Sequence, residues 1–207
     1  MSEVSAGAED CTPMVWVSVN AMLARLVKHS GLGRLPPAPG TRSWDLQEVI
    51  VVCAQERALL DQQGHALVVG HGDLKPTNVL ASESAEDMRV VLIDFELAGP
   101  NFRGFDLCKL FRNDAGQIDI DPSGPLCTFL SEYRDACALR TTAPMPSVEE
   151  LAAEAAALEP ATWLEAAVFF MTVLSEEGFT EQQYEVAERL SSHRWERYLS
   201  LRPQFRQ

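Results

Sequence analysis

The sequence has few basic residues for its acidic content. Lys and Arg together number 17 against 30 Asp and Glu, a formal net charge of −13, and no long run carries a single sign. Such a surface repels polyanions at long range. We therefore expect no nucleic acid and no anionic membrane among the partners. A polyphosphate would bind only through local groups and a metal ion.

Cysteine is also scarce and irregularly placed. The five cysteines contain no Cys-x-x-Cys pair, which excludes the usual zinc spacing, and their odd number does not suggest a disulfide framework. We predict that they are reduced thiols, mostly buried as small apolar side chains. They are Cys11, Cys53, Cys108, Cys127 and Cys137.

The first residues lack the features of a targeting segment. Residues 1–10 are acidic and have neither the basic start nor the apolar stretch of a signal peptide. Residues 1–12 are small and polar, which predicts a disordered N-terminus. We find no run long and apolar enough to span a bilayer, so we predict a cytoplasmic protein without membrane insertion.

The chain contains enough apolar residues to form a core. Hydrophobic residues make up 46% of 207 positions, which suits one large domain or two small ones. Helical periodicity predicts a first helix over residues 15–29 and a second over 43–63, with Ser43 as its N-cap. The Pro/Gly-rich segment between them lacks a preceding strand and a third glycine, so it is a poor nucleotide-binding loop.

Three short apolar runs follow the second helix. Residues 66–69 form a short apolar run that is β-branched at Val68 and Val69 and ends at Gly70, which predicts a strand that delivers His71 onto a loop. Residues 79–80 and 89–93 predict two more strands. These two strands bracket the loop and place Asp94 beside it.

Beyond Asp106 the pattern is helical to the end, with no repeat and no clear domain break. Residues 125–137 form an amphipathic segment, and a loop with two prolines covers 141–146. Three further helix starts are predicted from capping boxes and from proline at a first-turn position. They are marked by Ser147 with Glu150, by Pro160, and by Thr180 with Gln183.

The loop after the first strand has the residue types that phosphoryl transfer requires. That reaction needs a carboxylate to accept a hydroxyl proton, oxygen ligands for magnesium, and rigid positioning. Asp73 is the natural base. The amide oxygen of Asn78 and the carboxylate of Asp94 are hard ligands of the kind that suit Mg²⁺. Lys75 either neutralises charge on the transferred phosphoryl group or points to solvent.

Three motifs in order make the sequence resemble a known family. His71-x-Asp73-x4-Asn78, followed by Asp94-Phe95-Glu96, resembles the catalytic loop and metal motif of the protein-kinase-like superfamily. The small-molecule branch of that superfamily includes choline/ethanolamine kinases and aminoglycoside phosphotransferases. The segment Asn101-Phe102-Arg103-Gly104-Phe105-Asp106 narrows the resemblance to the choline/ethanolamine kinases.

This resemblance implies a fold and a reaction. The fold would be α+β and mainly α-helical, with residues 13–207 forming the large C-terminal lobe and a few short strands around the catalytic loop. The reaction would be ATP-dependent phosphorylation of an amino alcohol, with ATP and Mg²⁺ as cofactors. In the family this reaction leads to phosphatidylcholine or phosphatidylethanolamine. The resemblance leaves a homodimer open.

The resemblance also implies roles for individual residues. Asp73 would be the catalytic base, with Asn78 and Asp94 completing the catalytic set as magnesium ligands. Glu96 is undecided between support and direct chemistry. Three residues are expected to hold the loop through hydrogen bonds: His71, Arg103 and Asp106.

Two departures from the family pattern leave alternatives open. Only two predicted helices precede His71, so we expect the N-terminal lobe that covers ATP to be absent. The sequence would then be an incomplete gene product, depend on another chain for that lobe, or bind without efficient turnover. A catalytically weak or silent module and another small-molecule phosphotransferase remain alternatives. A protein kinase is least favoured, because Asp-Phe-Glu replaces Asp-Phe-Gly.

The second departure concerns the site for the substrate's ammonium group. The family holds this cation with aromatic faces, but its two tryptophan positions fall here on Val168 and Met171, and its final-helix positions near Ala187 and Leu190. The segment after Asp106 is also altered, over residues 109–113. Choline is therefore in doubt, whereas ethanolamine or another small amino alcohol stays open. Aromatic residues on a helix more often belong to the core than to a cage around a cation. Four such residues lie nearby: Phe169, Phe170, Tyr184 and Trp195.

Overall fold

Six α-helices and four short strands make up the described part of the chain, which in this computed structural model comprises residues 12–30, 44–82, 89–113, 118–140 and 144–205. The prediction of a mainly α-helical α+β fold is confirmed. The helices are α1 (Met14–Ser30), α2 (Leu46–Gln63), α3 (Arg103–Phe111), α4 (Pro125–Ala138), α5 (Val148–Ser175) and α6 (Glu181–Leu201). The strands are β1 (Leu67–Gly70), β2 (Val79–Ala81), β3 (Val90–Leu92) and β4 (Gly99–Phe102), and single 3₁₀ turns cover Pro76–Asn78 and Pro203–Phe205.

Helix α5 is the centre around which the other helices pack. It contacts α1, α3, α4 and α6, and apolar residues surround it on nearly all sides. Its first half, with Leu151 and Ala155, packs against α3 and α4 in one apolar cluster. Its second half, with Trp163 and Val168, packs against α1, α2 and α6 in a larger one. A helix that is apolar all round is stable only when it is buried in this way.

The prediction that Pro160 starts a helix is wrong. Pro160 lies inside α5, and the helix runs through it from its capping box at Ser147 and Glu150 to Ser175. Proline removes one backbone hydrogen bond and costs a helix interior about 3 kcal/mol. Pro160 is itself buried, and apolar packing on both sides of it outweighs that local cost.

The first two helices occupy nearly their predicted positions. Helix α2 begins at Leu46, and its N-cap is Asp45, whose side chain accepts the backbone N–H groups of Gln47 and Glu48. The predicted cap, Ser43, lies outside the described residues. An Asp in extended conformation one residue before the first helical turn satisfies donors that have no partner within the helix.

The four strands form two antiparallel pairs rather than one sheet. β2 pairs with β3, with Val79 opposite Leu92, as the predicted strands suggested. β1 pairs with β4, with Leu67 opposite Phe102 and Gly70 opposite Gly99. Strand β4 was not predicted, because Gly, Pro and Asn have low strand propensity and the pairing depends on a partner 30 residues away. This second pair brings the end of β1 beside the start of α3.

A buried ionic contact joins the end of α6 to the core. Glu56 of α2 is fully buried and accepts hydrogen bonds from Arg202 at 2.9 and 3.1 Å and from the Tyr198 hydroxyl at 3.2 Å. Such a pair needs good geometry, because removing both charges from water is costly. The fork of Arg202 supplies that geometry and joins α2 to the end of α6.

Some predictions fall outside the described residues. They are the disordered N-terminus up to residue 11, the connector at 31–40 and the first part of the loop at 141–146. Of the cysteines that the structure describes, Cys53, Cys108 and Cys127 are buried free thiols and Cys137 is half-buried and free. Burial raises the pKa of the Cys53 thiol to about 12, as expected for a thiol with an inert, structural role.

The sequence analysis missed one long apolar segment. Helix α5 is long and apolar enough to cross a membrane by length and composition alone. Of its most apolar window, 72% is buried inside the protein, a property that core helices of soluble proteins share. It is therefore weak evidence for a membrane span.

Candidate active site

The loop after β1 is held by a carboxylate from α3. Asp106 accepts the backbone N–H of His71 through Oδ2 at 2.6 Å and that of Gly72 through Oδ1 at 3.0 Å. Burial raises the pKa of Asp106, although the N–H groups it accepts from the loop partly offset this effect. These contacts fix the loop backbone to the first turn of α3.

Close packing requires glycine on both sides of His71. A Cβ at Gly70 would lie 2.6 Å from the Asp106 carboxylate. Gly72 has a φ of +80°, and a Cβ there would lie 2.2 Å from the carbonyl oxygen of Leu97. The His-Gly-Asp motif is therefore required by packing as well as by chemistry.

His71 links the loop to the end of β3. Its Nε2 donates to the Ile93 carbonyl at 2.9 Å, since a carbonyl can only accept, and its Nδ1 accepts the N–H of Asp73 at 3.4 Å. The ring also lies 4.7 Å from that of Phe95, centroid to centroid. His71 thus makes contacts that orient Asp73, as expected of a supporting residue.

Asp73 lies between two ammonium groups. Its Oδ2 is 2.6 Å from Lys75 Nζ, and its Oδ1 is 2.8 Å from Lys109 Nζ. Burial alone would raise the pKa of Asp73, but the charges and hydrogen bonds of Lys109 and then Lys75 outweigh it, and the pKa lies below its usual range. Asp73 is therefore an ionised carboxylate near neutral pH.

Lys109 is a cleft residue to which the sequence analysis assigned no role. It is 6% exposed and bridges Asp73 to Glu165 of α5, 3.2 Å away, with its ammonium 5.3 Å from the Phe105 ring centre. Burial lowers the pKa of Lys109, yet the facing carboxylates of Glu165 and Asp73 more than compensate, so the pKa is raised. A lysine among the apolar residues of α3 was the available signal.

Asn78 and Asp94 present oxygen atoms suitable for a cation. Asn78 is buried and donates its Nδ2 to the Asp73 carbonyl at 2.9 Å and to Asp73 Oδ2 at 3.3 Å, and its Oδ1 is an acceptor. Asp94 follows β3, has a φ of +68°, and lines the same cleft as Asp73. The Asn78 carbonyl accepts the N–H of Ile93 at 3.1 Å, which brings the two segments together.

An amide and a carboxylate oxygen fit magnesium, which is commonly held by few protein ligands together with substrate phosphates. Within the described ranges, the structure contains no group of three or more His, Cys, Asp or Glu residues that would hold a metal alone. Water or phosphate oxygens would therefore have to complete the coordination at Asn78 and Asp94.

The side chain of Arg103 contacts α5 rather than the loop. Its guanidinium forms a two-point ion pair with Glu154 of α5, at 2.8 and 2.5 Å, and its backbone N–H binds the Ala66 carbonyl. These contacts join α3 to α5 and to the residue before β1. Gly104 allows α3 to lie close to α5, since a Cβ there would lie 2.4 Å from the Glu154 carbonyl oxygen.

A cleft of about 380 Å³ is lined by half of the predicted site residues, whereas His71, Asn78, Arg103 and Asp106 do not line it. The predicted residues Asp73, Lys75, Asp94 and Glu96 line one part of it. The opposite part comes from α3 and the residue after it, from α5 and from α6. The lining residues of this part are Lys109, Arg112, Glu165, Ala166, Phe169, Phe170 and Arg194.

Comparison with known families identifies the family to which the chain belongs. A family model described as choline/ethanolamine kinase matches residues 13–134, well over half of the chain. The chain belongs to the choline/ethanolamine kinase family. The match includes every motif residue from His71 to Asp106, and it ends before α5 and α6. The part of the cleft formed by those two helices therefore lies outside the family match.

Solved structures of choline and ethanolamine kinases share the fold. An ethanolamine kinase from Plasmodium vivax has a TM-score of 0.61 at 16% identity, with 90% of this chain and 48% of that chain covered. A choline kinase from Cryptosporidium parvum has a TM-score of 0.59 at 13% identity, with 97% and 61% covered. The chain thus spans about half to three fifths of the length of these kinases. No curated protein sequence matches this choline/ethanolamine kinase family member significantly.

Proposed function

We propose that this chain carries the catalytic lobe of a kinase that transfers the terminal phosphoryl group of ATP to the hydroxyl of an amino alcohol. The observation that supports this most strongly is the ionised Asp73 on a loop that Asn78 and Lys109 hold, in a cleft that Asp94 also lines. Family membership supports a kinase-type reaction and an amino alcohol as acceptor. The phosphorylated product would enter phospholipid head-group synthesis in the cytoplasm.

Asp73 would act by accepting the hydroxyl proton. As the acceptor oxygen bonds to phosphorus, the bond to the leaving oxygen of the nucleotide breaks and the hydroxyl becomes acidic. A carboxylate with a lowered pKa is a weak base that takes the proton only late, which suits a loose transition state with little early proton transfer. Asn78 orients Asp73 through its contact with the Asp73 carbonyl.

Asn78 and Asp94 would hold Mg²⁺ together with the nucleotide phosphates. Magnesium supplies neutralisation of charge on those phosphates. Lys75 is half exposed at the edge of the cleft, where its ammonium can pair with Asp73 or with a phosphoryl oxygen. Lys109 is buried and keeps Asp73 in place from the opposite side.

The test is Mg²⁺-ATP-dependent phosphorylation of ethanolamine and choline by the purified chain, followed by mass detection of the product. We expect Asp73→Asn to lower kcat by a factor of about 100 or more, because no side chain would accept the proton. Asp135→Asn, at an exposed position on α4, is the matched control and should behave as wild type. Equal product from the wild type and Asp73→Asn would refute the role of Asp73.

A second candidate is a kinase-derived binding module without turnover. The observation that favours it is the engagement of Asp73 by two ammonium groups, which leaves the base occupied. Calorimetric titration with Mg²⁺-ATP distinguishes the two candidates. Nucleotide binding with no phosphorylated product supports the module, and sustained turnover rules it out.

A further inference from the structure

The two oxygens of the Asp73 carboxylate have partners of different accessibility. Oδ1 lies 2.8 Å from the ammonium of Lys109, whose side chain is only 4% exposed. Oδ2 lies 2.6 Å from the ammonium of Lys75, whose side chain is 47% exposed. An exposed ion pair contributes little to stability, whereas breaking a buried pair leaves an uncompensated charge. An acceptor hydroxyl therefore displaces Lys75 from Oδ2 more easily than it displaces Lys109 from Oδ1.

Lys109 has a second carboxylate partner, on the central helix of the fold. Glu165 of α5 accepts a hydrogen bond from Lys109 Nζ through Oε2 at 3.2 Å, and its side chain is 10% exposed. The ring centre of Phe105 lies 5.3 Å from the same nitrogen. A buried ammonium is stable only when such contacts replace the water that it has lost. Glu165 and Phe105 therefore keep Lys109 where it reaches Asp73.

The ammonium of Lys109 joins two carboxylates in a directional way. It carries three N–H donors, and a donor directed at Glu165 restricts the orientation of the others. Oδ1 of Asp73 accepts from this restricted group, while the Asp73 main-chain carbonyl accepts from Asn78 Nδ2 at 2.9 Å. A carboxylate held at its main chain and at one oxygen presents its other oxygen in a defined direction. That other oxygen is Oδ2.

Close packing of α3 on α5 sets the distance between Lys109 and Glu165. A Cβ at Gly104 of α3 would lie 2.4 Å from the Glu154 carbonyl oxygen of α5, so the two helices meet at the backbone. Side chains carried by packed helices are placed more precisely than side chains on loops. Glu165 lies outside the family match of residues 13–134, and no motif pointed to it.

We propose that Glu165 is a positioning residue, which through Lys109 fixes Oδ1 of Asp73 and leaves Oδ2 to accept the proton of the acceptor hydroxyl. The proposal rests on the phosphoryl-transfer function proposed above. As the hydroxyl oxygen bonds to phosphorus, its proton passes to Oδ2 and the bond to the leaving oxygen of the nucleotide breaks. Lys75 leaves Oδ2 when the acceptor binds. Because Glu165 also lines the cleft, the competing explanation is that it binds the ammonium of the acceptor directly.

Steady-state kinetics of Glu165→Gln separate the two explanations. Glutamine keeps the size of the side chain and removes its charge. We expect kcat to fall about tenfold, as for the loss of one charge-assisted hydrogen bond, with the KM values for ethanolamine and ATP within about twofold of wild type. Glu165→Asp keeps the charge and should recover part of kcat. A raised KM for ethanolamine with unchanged kcat would overturn the proposal and favour direct binding.

Glu159→Gln is the matched control, because Glu159 is a buried glutamate on the same helix that is not among the residues lining the cleft. Its carboxylate accepts from Trp163 Nε1 and from the Ile118 N–H, both at 3.0 Å. Glu159→Gln should lower stability in urea denaturation and leave kcat of the folded protein within about twofold. An equal fall in kcat in both Gln variants would show a general effect of lost packing and overturn the positioning role.

A double variant tests whether Glu165 acts through Lys109. If it does, Glu165→Gln combined with Lys109→Met should have the kcat of Lys109→Met alone, since the contact is already absent. Independent effects of the two substitutions, which multiply in kcat, would overturn the proposal.

A measurement without turnover separates this proposal from the proposed function. Nitrogen-15 NMR of the Lys109 ammonium measures how fast its protons exchange with water. We expect exchange about tenfold or more faster in Glu165→Gln, because the ammonium loses a buried partner, and no change in Glu159→Gln. Unchanged exchange in Glu165→Gln would overturn the proposal. Faster exchange in Glu165→Gln, together with a wild type that phosphorylates nothing, would refute the proposed function and support the hold of Glu165 on Lys109.

Discussion

Asp106 holds His71 from the first turn of α3, with its Oδ2 2.6 Å from the His71 backbone nitrogen. The other carboxylate oxygen accepts the Gly72 N–H at 3.0 Å. Asp106 therefore determines the position of the loop that carries Asp73. Because α3 is packed closely on α5 at Gly104, the loop is connected to the centre of the fold.

Replacing Asp106 by Asn should loosen the loop. An amide offers one acceptor oxygen, and its NH₂ would face the second N–H group as another donor. We expect the His71 and Gly72 amides to exchange hydrogen about ten- to a hundredfold faster, as for the loss of one buried charged hydrogen bond. Hydrogen exchange read by mass spectrometry measures this. Unchanged protection of both amides would show that other contacts hold the loop.

Replacing Lys109 by Met should raise the pKa of Asp73. Burial raises this pKa and the ammonium of Lys109 is the strongest effect that lowers it, so removal of the ammonium lets burial dominate. In the wild type, Asp73 stays ionised at pH values where an ordinary carboxylate would be protonated. Its stabilising ion pairs are lost only when the pH falls through the lowered pKa of Asp73. In Lys109→Met the acid limb of kcat/KM should move to higher pH. Lys28→Met, at an exposed lysine of α1, should leave the profile unchanged, and a shift to lower pH would contradict the prediction.

Replacing Gly104 by Ala should separate α3 from α5. The new methyl group would lie 2.4 Å from the Glu154 carbonyl oxygen, and moving these backbone atoms apart is costly. We expect a loss of about 2–3 kcal/mol in the free energy of unfolding, measured by urea denaturation. Gly64→Ala has open space but a φ of +65°, so it should cost only about 1 kcal/mol from backbone strain. A smaller loss at Gly104 than at Gly64 would argue against close packing of α3 on α5.

Replacing Arg103 by Ala should lower stability without a comparable change in chemistry. Its fork pairs with Glu154, and both side chains are mostly buried, at 15% and 23% exposure. Loss of this pair should cost about 2 kcal/mol in thermal or urea unfolding. Since Arg103 makes its side-chain contacts away from the loop, kcat should stay within about twofold of wild type after correction for folded fraction. A large fall in kcat in fully folded protein would support the loop-holding role that the family resemblance implies for Arg103.

Local signals in the sequence were sufficient for most of the helices and for the centre of the site. The capping boxes at Ser147 and Thr180 mark real helix starts, because they depend on residues three positions apart. The loop of Asp73 and Asn78 was predictable for the same reason, since its chemistry depends on spacing along one short segment. Pro160 was misjudged because the packing that tolerates it comes from other helices.

The order of Asp73, Asn78 and Asp94 along the chain, and the short segment that carries them, were determined by the sequence itself. Only the tertiary structure decided which groups surround Asp73. Lys109 is 36 positions away from it, and Arg194 reaches the same cleft from α6. Such contacts depend on how α3, α5 and α6 cross, and that crossing is set by close packing over the whole core, which no local pattern encodes.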